Sequence, residues 1–409
     1  MNAIRSLCAV GFLARFSYAL ARNPVLPLFA LFLGAGPEAV GLAVGISTVT
    51  GIFFKMPSGA LSDVIGRRRT MLAGLIVFAL LPFAYLLIHD YTGLVIVRFL
   101  HGLATAIYGP VVMAVVADLA GSRKGEMLSW FSSVTIIGTL LGAPIGGLIL
   151  HTLVPGTEGP GLWAFRTVYL VSGVLGAASL ILGWRILRRE GRPVGVGGLR
   201  SRLAKFRTGI REVLSDRRVV IASGMEGIQN MTMGALEAFL PIYAVTVAGL
   251  NEFQAGLLWG AQIVVTMLSK PIMGRLSDRN GRKPVIALGL ICCAVSFMAI
   301  PWLDGFWTLC LAALVFGLGE AFVTSSSAAL VADICHRRNY GAAMGTFGTL
   351  FDIGHASGPI LSGVLVSGLG YRAAFAIMGM VLLLALPVLW KGITDETFNG
   401  EPQDSEVAA

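Results

Sequence analysis

From Met71 to Ile88 the chain runs 18 residues without a charged side chain, and it does so again from Ala373 to Trp390. A bilayer-crossing helix needs roughly 20 mostly apolar residues. In lipid the backbone must satisfy its own hydrogen bonds, so a run of this kind folds as a helix. Twelve such segments can be marked, near residues 5–33, 39–62, 70–88, 92–118, 126–153, 163–187, 219–247, 253–276, 284–303, 306–332, 341–367 and 371–390. Charged residues make up 13% of the chain, against about 25% in soluble proteins, and the mean hydropathy is +0.79. The expected fold is an all-α integral membrane protein of 12 transmembrane helices. Arg15 interrupts the first run and no small-residue cleavage site leads into a soluble domain, so that run reads as a retained span, not a signal peptide.

A net charge of +9 would fit a nucleic-acid binder, but its placement does not. Eleven of the 31 Lys and Arg lie between Arg185 and Arg218, and the others named here form short clusters at Arg67–Arg69, Arg123–Lys124, Arg282–Lys283 and Arg337–Arg338. Basic clusters at the ends of apolar runs mark cytoplasmic loops. The opposite loops are short and hold Glu38, Asp90, Glu158, Glu252 and Asp304, with Arg372 as the exception. Both termini are therefore expected in the cytoplasm, with the protein in a plasma membrane such as the bacterial inner membrane. No nucleic-acid partner is expected. The five cysteines show no disulfide or zinc spacing. No metal and no cofactor is expected.

The one sizeable loop, 188–218, starts as a flexible linker. Leu199, Leu203, Phe206, Ile210 and Val213 then form one apolar stripe among basic residues. Such a helix is expected to lie on the anionic cytoplasmic leaflet. The segment 391–409 is polar and acidic and reads as a disordered tail.

The stretch GALSDVIGRRR at Gly59–Arg69 returns as GRLSDRNGRKP at Gly274–Pro284, 215 residues on. Lys55 and Lys270, and Val116-Ala117-Asp118 and Val331-Ala332-Asp333, keep that offset. Gly125, Gly138, Gly142 and Gly147 map to Gly341, Gly354, Gly358 and Gly363 at 216. The chain thus reads as two parallel six-helix bundles, 1–187 and 219–390. Repeats of this kind mark transporters, with the substrate site between the halves near mid-membrane. Within the repeated loop, Gly66 and Gly281 suit a helix-ending reversal, and Gly59 suits close helix approach. Asp63, an acid among cytoplasmic arginines, is expected to pair with a cation or cap a helix.

These residues resemble the major facilitator superfamily of secondary transporters, whose hallmark is this loop between spans two and three, often repeated between eight and nine. The resemblance covers nearly the whole chain. It implies that Asp63 and Arg67, and more weakly Asp278 and Arg282, form a charge network stabilising one access state. A second family element, R-x-x-x-G-x-x-x-A in span four, matches Arg98, Gly102 and Ala106 and implies a part for Arg98 in proton coupling. A third, the glycine and proline pattern of drug/proton antiporters, matches Gly138, Gly142, Gly146 and Gly147 in span five, with Ala143 at the proline position and Pro144 one place later. Span eleven keeps it as Gly354, Gly358, Pro359 and Gly363, with Ser362 for one glycine.

Polar groups also lie inside the apolar runs. Arg15 and Arg22, seven apart, share a face, followed by Asn23. Glu226, Gln229, Asn230, Met233 and Glu237 form one stripe in span seven. Arg98 and His101, Glu320 and Thr324, and Asp352 and His355 add a pair each. Ionisable residues within spans are functional candidates. The first half supplies arginines and the second acids, so opposite charges can meet across a cavity. Glu237 and Asp352 are the first candidates for a proton carrier, then Glu226 and Glu320. Arg15, Arg22, Asn23, His101, Gln229, Asn230, Met233 and His355 are the expected substrate-cavity residues.

The expected activity is proton-coupled export of small amphiphilic organic molecules by a monomer. The alternative is an importer or facilitator of an organic anion or polar solute, with Arg15 and Arg22 as clamps. A membrane enzyme or receptor is remote, because no H-E-x-x-H, G-x-S-x-G or Walker-type loop is present.

Overall fold

A computed structural model describes residues 2–120, 123–153, 159–186, 216–335 and 340–393. The expected linker helix within 188–218 and the acidic tail lie almost wholly outside these residues, as does Glu158. The first half holds α1 (Asn2–Leu20), α2 (Val25–Phe32), α3 (Pro37–Ile65), α4 (Arg67–Ala84), α5 (Tyr91–Leu119), α6 (Lys124–Thr152) and α7 (Leu162–Ile186). The second holds α8 (Arg217–Thr246), α9 (Glu252–Asn280), α10 (Arg282–Ala299), α11 (Phe306–Ile334) and α12 (Tyr340–Gly392). α12 turns at Gly370, whose φ is 76°. Counting α1 with α2 as one crossing and the arms of α12 as two, the described helices make twelve. Ten segments are long and apolar enough to cross a membrane by length and composition; α8 is not among them, and one of the ten holds both arms of α12.

The first span, expected as one run over 5–33, is two helices. Residues 21–24 form a turn that includes Arg22, Asn23 and Pro24. Pro24 and Pro27 lack the N–H groups that would carry the α1 ladder through. Elsewhere the ends are set by local chemistry. Asp90 accepts from the Gly93 N–H at the start of α5, and Asn251 and Gln254 form a reciprocal capping box at the start of α9. The repeated loop turns on its glycines: Gly66 (φ 102°) separates α3 from α4 and Gly281 (φ 88°) separates α9 from α10. Both φ values lie where a Cβ is strained.

Glycines also let helices meet backbone to backbone. On α6, a Cβ at Gly138 or Gly146 would run into the carbonyls of Phe12 and Leu20, near the α1 backbone. On the first arm of α12, Gly354 and Gly358 press on the carbonyls of Gly227 and Met231 in α8. The two antiporter-like glycine patterns therefore do the same packing in each half.

The halves meet near the turns at 34–36, 247–251 and 370. There Gly41 packs on the Pro359 carbonyl, Gly363 on Pro37, Gly147 on Glu252 and Gly256 on Ala143. Ser367 Oγ donates to Glu38 Oε1 at 2.6 Å, and His151 Nδ1 lies 3.5 Å from Glu252 Oε2. At the opposite end, near Gly66 and Gly281, Arg67–Asp118 at 2.8 Å and Arg282–Asp333 at 2.9 Å are ion pairs within one half each. Gly59, expected as a close-approach position, does not act so in this state, and neither does its repeat partner Gly274. A Cβ on Gly59 would lie 3.7 Å from Pro110, an ordinary contact, and one on Gly274 would meet nothing within 4 Å. Among the described residues no helix crosses tightly over either.

Candidate functional site

Between the halves lies a cavity of two lobes, of about 640 Å³ and about 240 Å³, which share Arg15, Tyr18, Arg22 and His355 in their walls. The larger lobe is lined by Lys55, Tyr108, Phe131 and Asp352 among others. The smaller is lined by Asn23, Met233, Glu237, Trp259, Gln262, Thr266, Lys270 and Glu320. Arg15, Tyr18 and Arg22 come from one face of the first span by their spacing of three and four.

At the closed side of the cavity, Arg22 and Glu237 form an ion pair. Arg22 Nη2 donates to Glu237 Oε2 at 2.8 Å and lies 2.9 Å from His355 Nε2. His355 Nε2 is 3.1 Å from the same carboxylate, and Asn23 Nδ2 donates to the Glu237 carbonyl at 3.0 Å. Glu237 is 2% exposed, so its charge is screened little by water and depends on this cation. The break at 21–24 places Arg22 and Asn23 against α8, where a continuous helix would hold both in its own ladder.

The second cross-half pair joins Lys55 of α3 to Asp352 of α12. Lys55 Nζ lies 2.7 Å from Oδ1 and 2.6 Å from Oδ2. A third group stays inside the second half. Gln262 and Thr266 both donate to Glu320, Thr266 at 3.1 Å, and Lys270 Nζ stands 3.9 Å from the other oxygen of Glu320. Lys55 and Lys270 are repeat-equivalent, yet one bridges the halves and the other does not.

The structure brings Arg15, Arg22, Asn23, Met233, Glu237, Glu320, Asp352 and His355 to the cavity wall. It keeps Arg98, His101, Glu226, Gln229 and Asn230 off it. His101 is buried, its Nδ1 3.2 Å from the Tyr85 hydroxyl, with its ring edge-on to Tyr18. Arg98 is wholly buried over the Tyr18 ring, 5.4 Å from its centre, not snorkelling outward. Glu226 is wholly buried and accepts from Asn230 Nδ2 at 3.1 Å. The Asp63 side chain lies outside what the structure describes, while Asp278 pairs with Arg282.

Lys55, Lys270, Gln262 and Thr266 were absent from the expected site. The signal was present. Gln262, Thr266 and Lys270 recur every four residues on one helix face, and two cations at equivalent depths in apolar runs are functional candidates.

A family model described as Major Facilitator Superfamily matches residues 7–267 and 249–407. The chain is 24% identical over 374 residues to an uncharacterized MFS-type transporter of Methanocaldococcus jannaschii, covering 89% of each. It is 23% identical over 385 residues to a multi-drug resistance efflux pump PmrA homolog of Lactococcus lactis, covering 90% of this chain and 89% of that one. Among solved structures, a bacterial homolog to the human lysosomal transporter Spinster, inward-facing and unoccupied, superposes with a TM-score of 0.79 at 14% identity, covering 97% and 96% of the chains.

Proposed function

Because this chain belongs to the major facilitator superfamily, and so is a membrane-embedded secondary transporter of a small molecule and not an enzyme, we propose that it exports small amphiphilic organic molecules in exchange for protons. The observation that carries this reading is the pair of cross-half ion pairs, Arg22–Glu237 and Lys55–Asp352, each with its cation in the first half and its carboxylate in the second. The multidrug names of relatives support the substrate class.

The mechanism follows from what substrate and proton do to such a bond. Substrate entering from the cytoplasm displaces the cations from their carboxylates, so the charge tie between the halves is lost, the halves rock apart at the closed end and the cavity changes face. Outside, the substrate leaves and the freed carboxylates take up protons. The protonated carrier returns, and release of the protons to the cytoplasm restores the tie. The apolar lining of Met233, Trp259 and Ile263 takes the body of the substrate. With both termini in the cytoplasm of a plasma-membrane protein, the end near Gly66 and Gly281 faces inward, and the state seen is open to the cytoplasm. The transporter works as a monomer, since each chain supplies both halves of the cavity.

Reconstituted vesicles with an acidic lumen test the direction of coupling. Anilinonaphthalene sulfonate, an amphiphilic dye, should accumulate inside as protons leave. Expulsion of the dye together with protons would make the protein an importer.

A further inference from the structure

The charges on the cavity wall do not balance. Glu237 is held by Arg22, Asp352 by Lys55, and Glu320 faces Lys270. Each carboxylate that lines the cavity thus has a cation, and one cation, Arg15, is left over. It lines both lobes, and among the described residues no hydrogen bond or ion pair engages it. Its electrostatic neighbours are the phenols of Tyr18 and Tyr108 and the like-charged Arg22. The carboxyl of Glu226 is no counter-charge for Arg15, because it is buried in the second half, where Asn230 and Lys270 are its neighbours, and it does not reach the wall. Arg98, behind the Tyr18 ring, adds a further first-half cation, whose carboxylate neighbour is the same Glu237 that Arg22 already holds.

While the cavity is open, water screens Arg15. Alternating access requires a passage through a state closed at both ends. There, an uncompensated guanidinium is expensive, and a second cation from the substrate would worsen the imbalance. An anionic substrate group removes it. The guanidinium fork suits a carboxylate or sulfonate, which it can hold through two parallel hydrogen bonds. The apolar part has its place beside it, against Trp259 and Met233 in the smaller lobe.

We propose that the transported molecule is an organic anion with an apolar body, its anionic group seated on Arg15. This rests on the reading of the cavity as the transport path, and it is independent of direction and of coupling to protons. Arg22 has no such role in this state, because Glu237 occupies it.

Binding to purified full-length protein in detergent tests the proposal apart from transport. Anilinonaphthalene sulfonate serves as the anionic probe, and the corresponding uncharged anilinonaphthalene as the control with the same body. The sulfonate should bind more tightly than the neutral compound. Arg15→Gln should weaken sulfonate binding about 10- to 100-fold, the usual worth of a charge-assisted hydrogen bond, and leave the neutral compound within about twofold. Arg15→Lys should recover part of the loss. Circular dichroism and melting of each variant identify any that fails to fold, in which case the wild-type preference for the sulfonate decides. Equal or weaker wild-type binding of the sulfonate, or an unchanged affinity in a folded Arg15→Gln variant, overturns the proposal. If anion binding holds and vesicles show no proton exchange, only the coupling mechanism fails.

Discussion

Arg22 and Glu237 stand 215 residues apart, at equivalent places in the two halves, and they pair with each other across the line where the halves meet. The repeat thus puts a cation and a carboxylate at matching positions, and the pseudo-twofold arrangement brings them face to face. This pair lies next to the closed end, so breaking it loosens that end first. In Glu237→Gln, a single cysteine at position 38 or 367 in a cysteine-free background should react faster with an impermeant maleimide than in the parent. The expected gain is roughly 3- to 10-fold, the population shift from losing about 1 kcal/mol of tie. An unchanged rate would remove the pair from the gating of that end.

The Lys55–Asp352 pair is asymmetric in burial: the lysine side chain is 42% exposed and the aspartate side chain 10%. Lys55→Met leaves a buried carboxylate without its cation, so it should destabilise more than Lys55→Met with Asp352→Asn. Solvent screening at the lysine holds the coupling energy to about 1 kcal/mol. A double-mutant cycle on urea or thermal stability gives the number, and strict additivity would mean that the contact is incidental.

The glycines divide into two kinds. Gly358 has the Met231 carbonyl where a Cβ would go, whereas Gly274 has open space. Gly358→Val should therefore lower stability by about 1–3 kcal/mol or prevent insertion. Gly274→Ala should leave the melting temperature within a degree or two of wild type. Loss of transport in Gly274→Ala with unchanged stability would show that the position closes on another helix in a different access state.

Much of the fold was legible because membrane helices announce themselves by uninterrupted apolar length, and the 215-residue repeat tied the halves together. The break at Arg22, Asn23 and Pro24 was not, because the run stays apolar on both sides and only the two prolines hint at it. Arg22, Glu237, Asp352 and His355 were legible as charges in the wrong solvent. Their pairing was not, since Lys55 and Asp352 lie 297 residues apart and only packing decides which acid a lysine reaches. Lys55 is legible as a repeat marker, and its bond to Asp352 is not. His101 and Arg98 share a helix face with cavity-facing positions, yet Tyr18 stands between them and the cavity, which helix periodicity does not reveal.

The repeated loop has its own test. Arg67 pairs with Asp118 and Arg282 with Asp333 inside their halves, which anchors each loop to the end of a neighbouring helix. Asp63→Asn should leave the protein inserted and lower the transport rate at least about 10-fold, and Asp278→Asn should do less. Wild-type rates in both would reduce the loop to a topology signal.

Proton release on substrate binding addresses the exchange mechanism most directly. In lightly buffered detergent solution with a pH indicator, wild-type protein should exchange protons with the medium when substrate is added. Glu237→Gln and Asp352→Asn should each bind the same substrate while losing part or all of that signal. If both variants keep gradient-driven transport in vesicles with the wild-type pH dependence, neither acid carries the proton, and the cross-half ion pairs are structural.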